Sequence, residues 1–395
     1  MTDTGVGWAG SGLAWLTGPP DGPPDHSRSA VLTRAASVVA NLATQLGVAL
    51  DAATLLTGRA ALLGLHRRGR ISAGGATHLL PTRDGWCALT LSRADDLAAV
   101  PALVEADVVP DDPWQAVARW AAGRSADEAV ERAALLGLPA ARLGETTTAV
   151  PTVRAGGRRT VPRPTEELLV ADLSSMWAGP LCGQILAAAG ATVVKVESPS
   201  RPDGTRGGNR AFYDWMNHGK LSYAVDFDTD ADRLRALIAA ADVVIEGSRS
   251  GALARRGLSP DDLGGPDGRV WLRVSGHGPD SPRAAFGDDA AVAGGLVGSS
   301  PDGPVFCGDA IADPLTGLEA ALAVAHSLHR GGGETIDVSM AAVAASYAQL
   351  PVEASLSDSA VAPPRPPAPS AAAAALGADN SAVNDIVAQR NAIRC

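Results

Sequence analysis

Short, nearly continuous apolar runs alternate with stretches of helical period over residues 167–350. The run over 168–173, LLVADL, predicts a strand covered on both faces, because a half-exposed strand would alternate apolar and polar positions. A helix follows to about residue 189, with Gly179-Pro180 at its start and Gly190 at its stop. A second strand is expected over 192–197. Strand, helix and strand at this spacing predict a right-handed βαβ unit of a parallel sheet. The alternation continues through strand 221–225, helix 230–240, strand 243–245, a helix near 251–256, strand 270–274, helix 313–329, strand 335–338 and a short helix after it. The fold class this predicts is α/β, an open and mostly parallel sheet with flanking helices, a Rossmann-like core. No Gly-x-Gly-x-x-Gly occupies the first turn, so a dinucleotide fingerprint is absent.

The N-terminal stretch reads differently. The first 28 residues, including TGPPDGPPD, are turn-rich and predict irregular chain. Helical period over 29–46 ends at Gly47, and Asp51 caps a second helix to about residue 68. RRGRISAGGA is a basic, glycine-bearing loop that leads into a hairpin, strands 77–80 and 86–92 around Arg83-Asp84-Gly85. Helices are expected near 94–105, 114–122 and 126–136, the last opened by a capping box of Ser125 and Glu128. The chain thus divides into a smaller α/β region with leading helices and a glycine loop over 1–150, a proline-containing linker over 151–166, the sheet domain over 167–350 and a tail over 351–395. The tail is rich in Ala, Pro and Ser and is expected to be extended or mobile, ahead of an expected terminal docking segment, ALGADNSAVNDIV.

Composition narrows the class. The 395 residues are 46% apolar but only 4% aromatic, so an ample core is built mainly from Ala, Leu and Val. A net charge of −10 argues against a general nucleic-acid binder. Lys195 and Lys220 are the only lysines. Cys87, Cys182, Cys307 and Cys395 have neither metal-ligand spacing nor the density of a secreted scaffold, which predicts free thiols, a reducing cytoplasmic setting and no metal site. No leader pattern and no apolar run of membrane-spanning length is found, so no membrane partner is expected.

DLSSMWAGPLCGQILAAAGATVVKVE, followed in order by FYDWMNHGKLSYAVDF, VVIEGSRSGALARRGL, VWLRVSGHGPDSP and GETIDVSM, resembles the family III CoA-transferases (CaiB/BaiF-like). That group includes formyl-CoA transferase, carnitine CoA-transferase and α-methylacyl-CoA racemase. The resemblance spans about 165–345. It implies an enzyme that moves CoA between an acyl-CoA thioester and a carboxylic acid through an aspartyl-CoA intermediate, working as a homodimer. Coenzyme A or acyl-CoA would be its substrate, with no permanently bound cofactor. The domain order departs from the family's: GGATHLLPTRDGWCALTL, which resembles the smaller domain, here precedes the nucleotide-binding part. SGLAWLTGPPDGPP and GGLVGSSPDGPVFCGDAIADPLTG resemble two versions of the segment before the catalytic aspartate, as a trimmed duplication or a circular permutation would leave. In the first version the matching position falls near Leu32, so that copy lacks a nucleophile.

Acyl-CoA chemistry without a metal needs a nucleophile that carries first an acyl group and then CoA, and a carboxylate does both. The family's Asp-x-x-x-Gly at a helix start is matched by Asp313-Pro-Leu-Thr-Gly317. Asp313 before Pro314 also suits a plain N-cap, and the two roles are compatible because helix-start N–H groups favour an ionised carboxylate. Asp309 is the competing nucleophile. The racemase branch has Gly-His-Asp where this chain has Gly287-Asp288-Asp289, so one of the two acid/base groups needed for proton transfer is missing. His277 reads as a loop histidine. A 2-methylacyl-CoA racemase is therefore the second reading, and an inactive CoA-binding scaffold or heteromer subunit the third.

By resemblance, the backbone around Met176, Trp177 and Ala178 lines the thiol end of CoA. Arg201 and Arg206 approach its phosphates, Asn217 and Lys220 match an Asn-x-x-Lys motif, and Arg249 and Arg256 lie near the adenosine phosphate. Singly, each reads as a solvated surface charge; converging on the carboxyl ends of parallel strands, they would make a phosphate site. Ser198 stands where the family often has arginine. Gly74 and Gly75 correspond to a mobile glycine loop over the aspartate, and a plain loop before a strand accounts for them as well.

Overall fold

A computed structural model describes residues 7–108, 111–248, 251–353 and 360–394. Near the N-terminus, where irregular chain is expected, burial of Trp8, Leu13 and Leu16 organises a 3-10 turn (Trp8–Gly10) and a single helical turn, α1 (Leu13–Leu16). Helix α2 (Ser29–Leu46) matches its periodicity and ends at Gly47, φ +69. Helix α3 (Ala52–Leu63) is capped by Asp51, whose side chain accepts the Thr54 N–H. It stops short of residue 68 because the Gly64 and Leu65 N–H groups fold back onto the Ala61 and Ala60 carbonyls.

The hairpin forms as β1 (Thr77–Pro81) and β2 (Trp86–Thr90). One expected helix is split into α4 (Ala94–Ala98) and α5 (Val100–Val104), since Pro101 has no N–H to continue the first. Helices α6 (Pro113–Ala122) and α7 (Ala126–Leu135) follow, the latter with its Ser125–Glu128 box, and an unforeseen strand β3 (Ala140–Arg142) pairs with β2. Strand β4 (Thr152–Ala155) lies inside the expected linker; all its residues are exposed, so no amphipathic pattern marked it.

The sheet domain then runs β5 (Leu169–Leu173), α8 (Ala178–Ala188), β6 (Thr192–Glu197), α9 (Arg210–Asn217), β7 (Leu221–Ala224), α10 (Ala231–Ala240), β8 (Val243–Glu246) and β9 (Val270–Ser275). The helix expected near 251–256 is only a 3-10 turn, Ala254–Arg256, closed by Gly257 at φ +63. After β9 come α11 (Gly287–Ala293), the hairpin β10 (Val297–Ser300) and β11 (Gly303–Phe306), α12 (Ala312–His329), β12 (Glu334–Ser339), α13 (Met340–Ala348) and α14 (Asn380–Arg394). The seven-stranded sheet has the order β4-β12-β9-β8-β5-β6-β7, parallel throughout except for β4. Chain order reverses between β5 and β8, and their carboxyl ends frame the crevice where such sheets bind ligands.

The expected 1–150 region does not pack as one unit. Helices α1–α3 share a hydrophobic core with α8, α12 and one face of the sheet, whereas β1–β3 and α5–α7 enclose a smaller core of their own. The terminal segment packs along β7 and α10. Asp379 accepts the Ser222 N–H, Asn380 bonds both backbone groups of Ala224, and α14 lays Val383 and Val387 against the core beside α10. Among the described residues no helix is long and apolar enough to cross a membrane.

Both lysines lie under the crevice. Lys220 donates to Asp172 at the end of β5 (2.9 Å), to the Pro180 carbonyl (2.8 Å) and to Asn217 (3.2 Å). Lys195 on β6 donates to Asp203 (2.7 Å) and to the Ser174 carbonyl, and Asp203 accepts the Met176 N–H (3.2 Å). Burial alone would raise the Asp172 carboxyl, but Lys220 and Lys195 outweigh it and hold the group below its ordinary range. Glycines let α8 approach this network: a Cβ at Gly179 would fall 2.2 Å from Ser174 Oγ, and one at Gly183 2.8 Å from Asp172 Oδ2. Lys220→Met strands a buried carboxylate, so the variant should lose about 3–5 kcal/mol of stability in urea denaturation. A loss under about 1 kcal/mol, the scale of an exposed pair, would contradict the burial described.

Candidate active site

The turn from β5 into α8 is held from below by those lysine pairs. Met176 sits in it at φ +75, half-exposed at the crevice, and Trp177 is buried against Phe212. Ala178 opens α8 with its N–H pointing out of the helix start. Across the crevice, Asp313 lies in the first turn of α12, and Gly317 follows one turn later on the same face. A Cβ at Gly317 would come within 2.8 Å of the Ala178 carbonyl and of Leu181. The Asp-x-x-x-Gly spacing therefore has a physical reason: the glycine lets α8 close on α12, and the aspartate then meets the start of α8.

The Asp313 carboxylate is partly accessible and receives the backbone N–H groups of Ala178 and Gly287. Gly287 opens α11 so near to it that a Cβ there would lie 2.5 Å from Asp313 Oδ2 and 2.3 Å from the Ala310 carbonyl. Burial pushes the Asp313 carboxyl up to about 7, with Asp288 adding to the rise and Arg59 opposing it. Asp288 accepts the Ala310 N–H (2.9 Å); burial and then the charge of Asp309 raise it to about 6. Asp289 is fully buried and pushed by burial to about 7, while accepting from Thr90 (3.0 Å) and from the Phe286 N–H (2.9 Å). Thr90 contacts Thr77 (2.9 Å), and Thr77 reaches Asp288 (3.4 Å), which ties the β1–β2 hairpin to the cluster.

Asp309, the competing aspartate, is fully buried and bound through both oxygens by Arg59 of α3, at 2.6 and 2.7 Å. Its carboxylate is closed off from solvent, whereas Asp313 is partly accessible. Arg59 lies over the rings of Trp177 and Phe212, at 5.7 and 5.8 Å. The glycine loop runs beside it, since a Cβ at Gly74 would sit 3.8 Å from Arg59 Nη2, and Gly75 turns at φ +83.

The expected residues thus separate into two groups. Asp313, Asp309, Met176, Trp177, Ala178 and the Gly74–Gly75 loop gather around the crevice. Asn217 and Lys220 instead lie buried in the network beneath it, because a lysine beside Asp172 in the interior is retained by that carboxylate. Arg206 is bound bidentately by Glu197 (2.6 Å to Oε2) and donates to the Ala374 carbonyl, and Arg256 pairs with Asp228 (2.8 Å). Arg201 is exposed, with no ion pair among the described residues, and Arg249 lies outside them. His277 is buried beside Glu145 (3.8 Å), and burial and Arg283 push it down to about 4.

Arg59 and the acidic role of Asp288 and Asp289 escaped the sequence reading. Arg59 stands 250 positions from its partner in a helix with no motif, and only the fold brings the two together. Asp288 and Asp289 stand in the sequence as an acidic pair after glycine, and the burial that raises their carboxyls comes from the fold alone.

These raised carboxyls have a measurable effect on stability. Asp313 is raised in the folded state, so its contribution is full below about pH 4, near the unfolded value, and is lost as pH rises through about 7. Asp313→Asn removes that loss. The variant should gain stability over the wild type progressively from pH 4 to pH 7, as thermal denaturation at each pH would show; a constant difference would contradict the raised ionisation.

The family model for CoA-transferase family III matches residues 166–375. Succinyl-CoA–D-citramalate CoA-transferase of Chloroflexus aurantiacus is 32% identical over 197 residues, which are 45% of this chain and 49% of that protein. Succinate–glutarate CoA-transferase of Agrobacterium fabrum is 32% identical over 203 residues, 45% of this chain and 51% of that protein. The chain spans about half the length of the curated relatives it matches. Among solved structures, a CAIB/BAIF family protein from Brucella suis has 30% sequence identity and a TM-score of 0.43, over 47% of this chain and 55% of that one. With more than half of its residues matched by the family model, the chain belongs to CoA-transferase family III.

Proposed function

We propose that this protein transfers CoA between an acyl-CoA thioester and a carboxylic acid, with Asp313 as the nucleophile. The observation that carries the reading is the placement of Asp313: a crevice carboxylate facing the starts of α8 and α11, one turn ahead of the glycine that lets α8 close in. An Asp313 oxygen attacks the thioester carbonyl carbon, the C–S bond breaks, and CoA thiolate leaves an acyl–aspartyl anhydride behind. The thiolate then attacks the Asp313 Cγ, which releases the acid as a carboxylate and leaves an aspartyl-CoA thioester. The acceptor carboxylate attacks that Cγ and expels the thiolate. The thiolate takes the new acyl group from the anhydride, regenerating Asp313. The N–H groups of Ala178 and Gly287 favour the negative charge that returns to Asp313 in the last step, when the second anhydride breaks.

The relatives' names, which refer to succinate, glutarate and citramalate, support small organic acids as substrates. On this reading Met176 and Ala178 line the thiol end of CoA, and exposed Arg201 is available to a phosphate. Arg206 and Arg256, by contrast, are held by carboxylates of the chain itself. A homodimer and a smaller domain moved ahead of the CoA-binding core remain part of the same proposal, the latter on the resemblance of its hairpin sequence. A second reading, a 2-methylacyl-CoA racemase, keeps one supporting observation: Asp288 stands where the racemase histidine would be and ionises near neutrality beside Asp313. Deuterium incorporation at the α-carbon without any acceptor acid would favour it.

Asp313→Ala should abolish exchange and eliminate the hydroxylamine-sensitive enzyme adduct detected by intact mass, while Asp309→Asn keeps the adduct. Full exchange activity in Asp313→Ala would overturn the assignment.

A further inference from the structure

Helix α3 enters the aspartate cluster through one side chain. Arg59 holds Asp309 by both oxygens, and Asp309 is buried, so its charge depends on that cation. The loop between them and α12 is strained at Ala310, which carries a Cβ and has φ +43. From this loop the Ala310 N–H donates to Asp288 and the Ala310 carbonyl accepts the Asp313 N–H, each at 2.9 Å. Whatever fixes Asp309 therefore fixes the backbone on which Asp313 and its neighbour are registered. The guanidinium is itself clamped over Trp177 and Phe212 and flanked by the Gly74 backbone.

We propose that Arg59 is a positioning residue of the Asp313 site: its ion pair with Asp309 fixes the loop that leads to Asp313, and its charge holds that carboxylate ready to attack. The inference rests on Asp313 being the nucleophile. The charged groups facing Asp313 are Arg59 from α3, Asp288 with Asp289 behind it from α11, and Asp309 from the preceding loop; α8 contributes backbone N–H groups alone. Arg59 is the cation in that set, and its charge acts on Asp309, Asp288 and Asp313 together. Removing it leaves the acidic groups to raise one another, so a smaller fraction of Asp313 is ionised at neutral pH. Removing the charge of Asp309 does the reverse, because Arg59 is then no longer neutralised by its own partner. Two partners of one ion pair thus move the same ionisation in opposite directions, a pattern that a merely weakened fold does not produce.

The experiment measures hydroxylamine-sensitive adduct formation from a panel of succinyl-, formyl- and acetyl-CoA across pH 5 to 9, in wild type, Arg59→Met, Arg59→Lys and Asp309→Asn. Adduct formation rises with pH as Asp313 ionises. Its midpoint should move up by about one pH unit in Arg59→Met, about a tenfold loss at pH values below both midpoints. It should stay within a few tenths of a unit of the wild type in Arg59→Lys and move down in Asp309→Asn. If Arg59→Met fails to fold, the downward shift in Asp309→Asn against an unmoved Arg59→Lys is the remaining test, and an unmoved Asp309→Asn overturns the role of Arg59. A wild-type adduct whose midpoint is unmoved in the folded variants overturns the role of Arg59 alone. Absence of any adduct in the wild type overturns the nucleophile reading and this inference with it.

Discussion

The crevice depends on two lysines buried beneath it. Asp172 and Asp203 are almost completely excluded from water, where an unpaired carboxylate would be strongly disfavoured, and Lys220 and Lys195 make their burial tolerable. The geometry that results is specific. Lys220 ties the end of β5 to the first turn of α8 and to the end of α9, while Lys195 and Asp203 grip the backbone of the β5–α8 turn from the other side. Between them the turn has little freedom, and Met176 is held at a positive φ that a free chain would avoid. This fixes the direction in which α8 starts, and so where the Ala178 N–H points.

Above that floor the balance of charge is reversed. Among the described residues Asp288, Asp309 and Asp313 face a single arginine, Arg59, and burial raises Asp288 and Asp313 toward neutrality. A carboxylate that ionises near neutral pH is a better nucleophile than a fully solvated one, provided that something stabilises its charge when it forms. Here the supports are two backbone N–H groups and Arg59. Their donors come from the starts of α8 and α11 and from α3, elements spread over most of the chain. The site therefore exists only when the N-terminal helices are seated on the sheet domain. The shared hydrophobic core of α1–α3 with α8 and α12 provides that seating.

Wherever a residue's role follows from its immediate neighbours, the sequence was sufficient. The strands β5 and β6, helix α2 with its Gly47 stop, the Asp51 cap and the Ser125–Glu128 box formed as their local patterns require, because propensity, period and capping act within a few residues. Motif spacing likewise marked Asp313 and Gly317, since residues four apart share a helix face. Short or exposed elements were not legible: β3 and β4 carry too few residues for a period, and β4 has no buried face.

The choice between structural and functional charges was decided only by tertiary structure. In sequence, Asn217, Lys220 and Arg206 look as available to a phosphate as Arg201, and Asp309 looks as able as Asp313 to attack an acyl group. Which of them is free depends on whether an opposite charge is buried beside it, and Asp172, Glu197 and Arg59 come from other elements of the fold. Electrostatic interaction depends on distance through space and on exclusion of water, neither of which the linear chain records. Local pattern was enough for the parallel strands, most of the helices and the aspartate with its glycine; the packing of α3 against the crevice is what brings an arginine onto Asp309 and leaves Asp313 partly accessible.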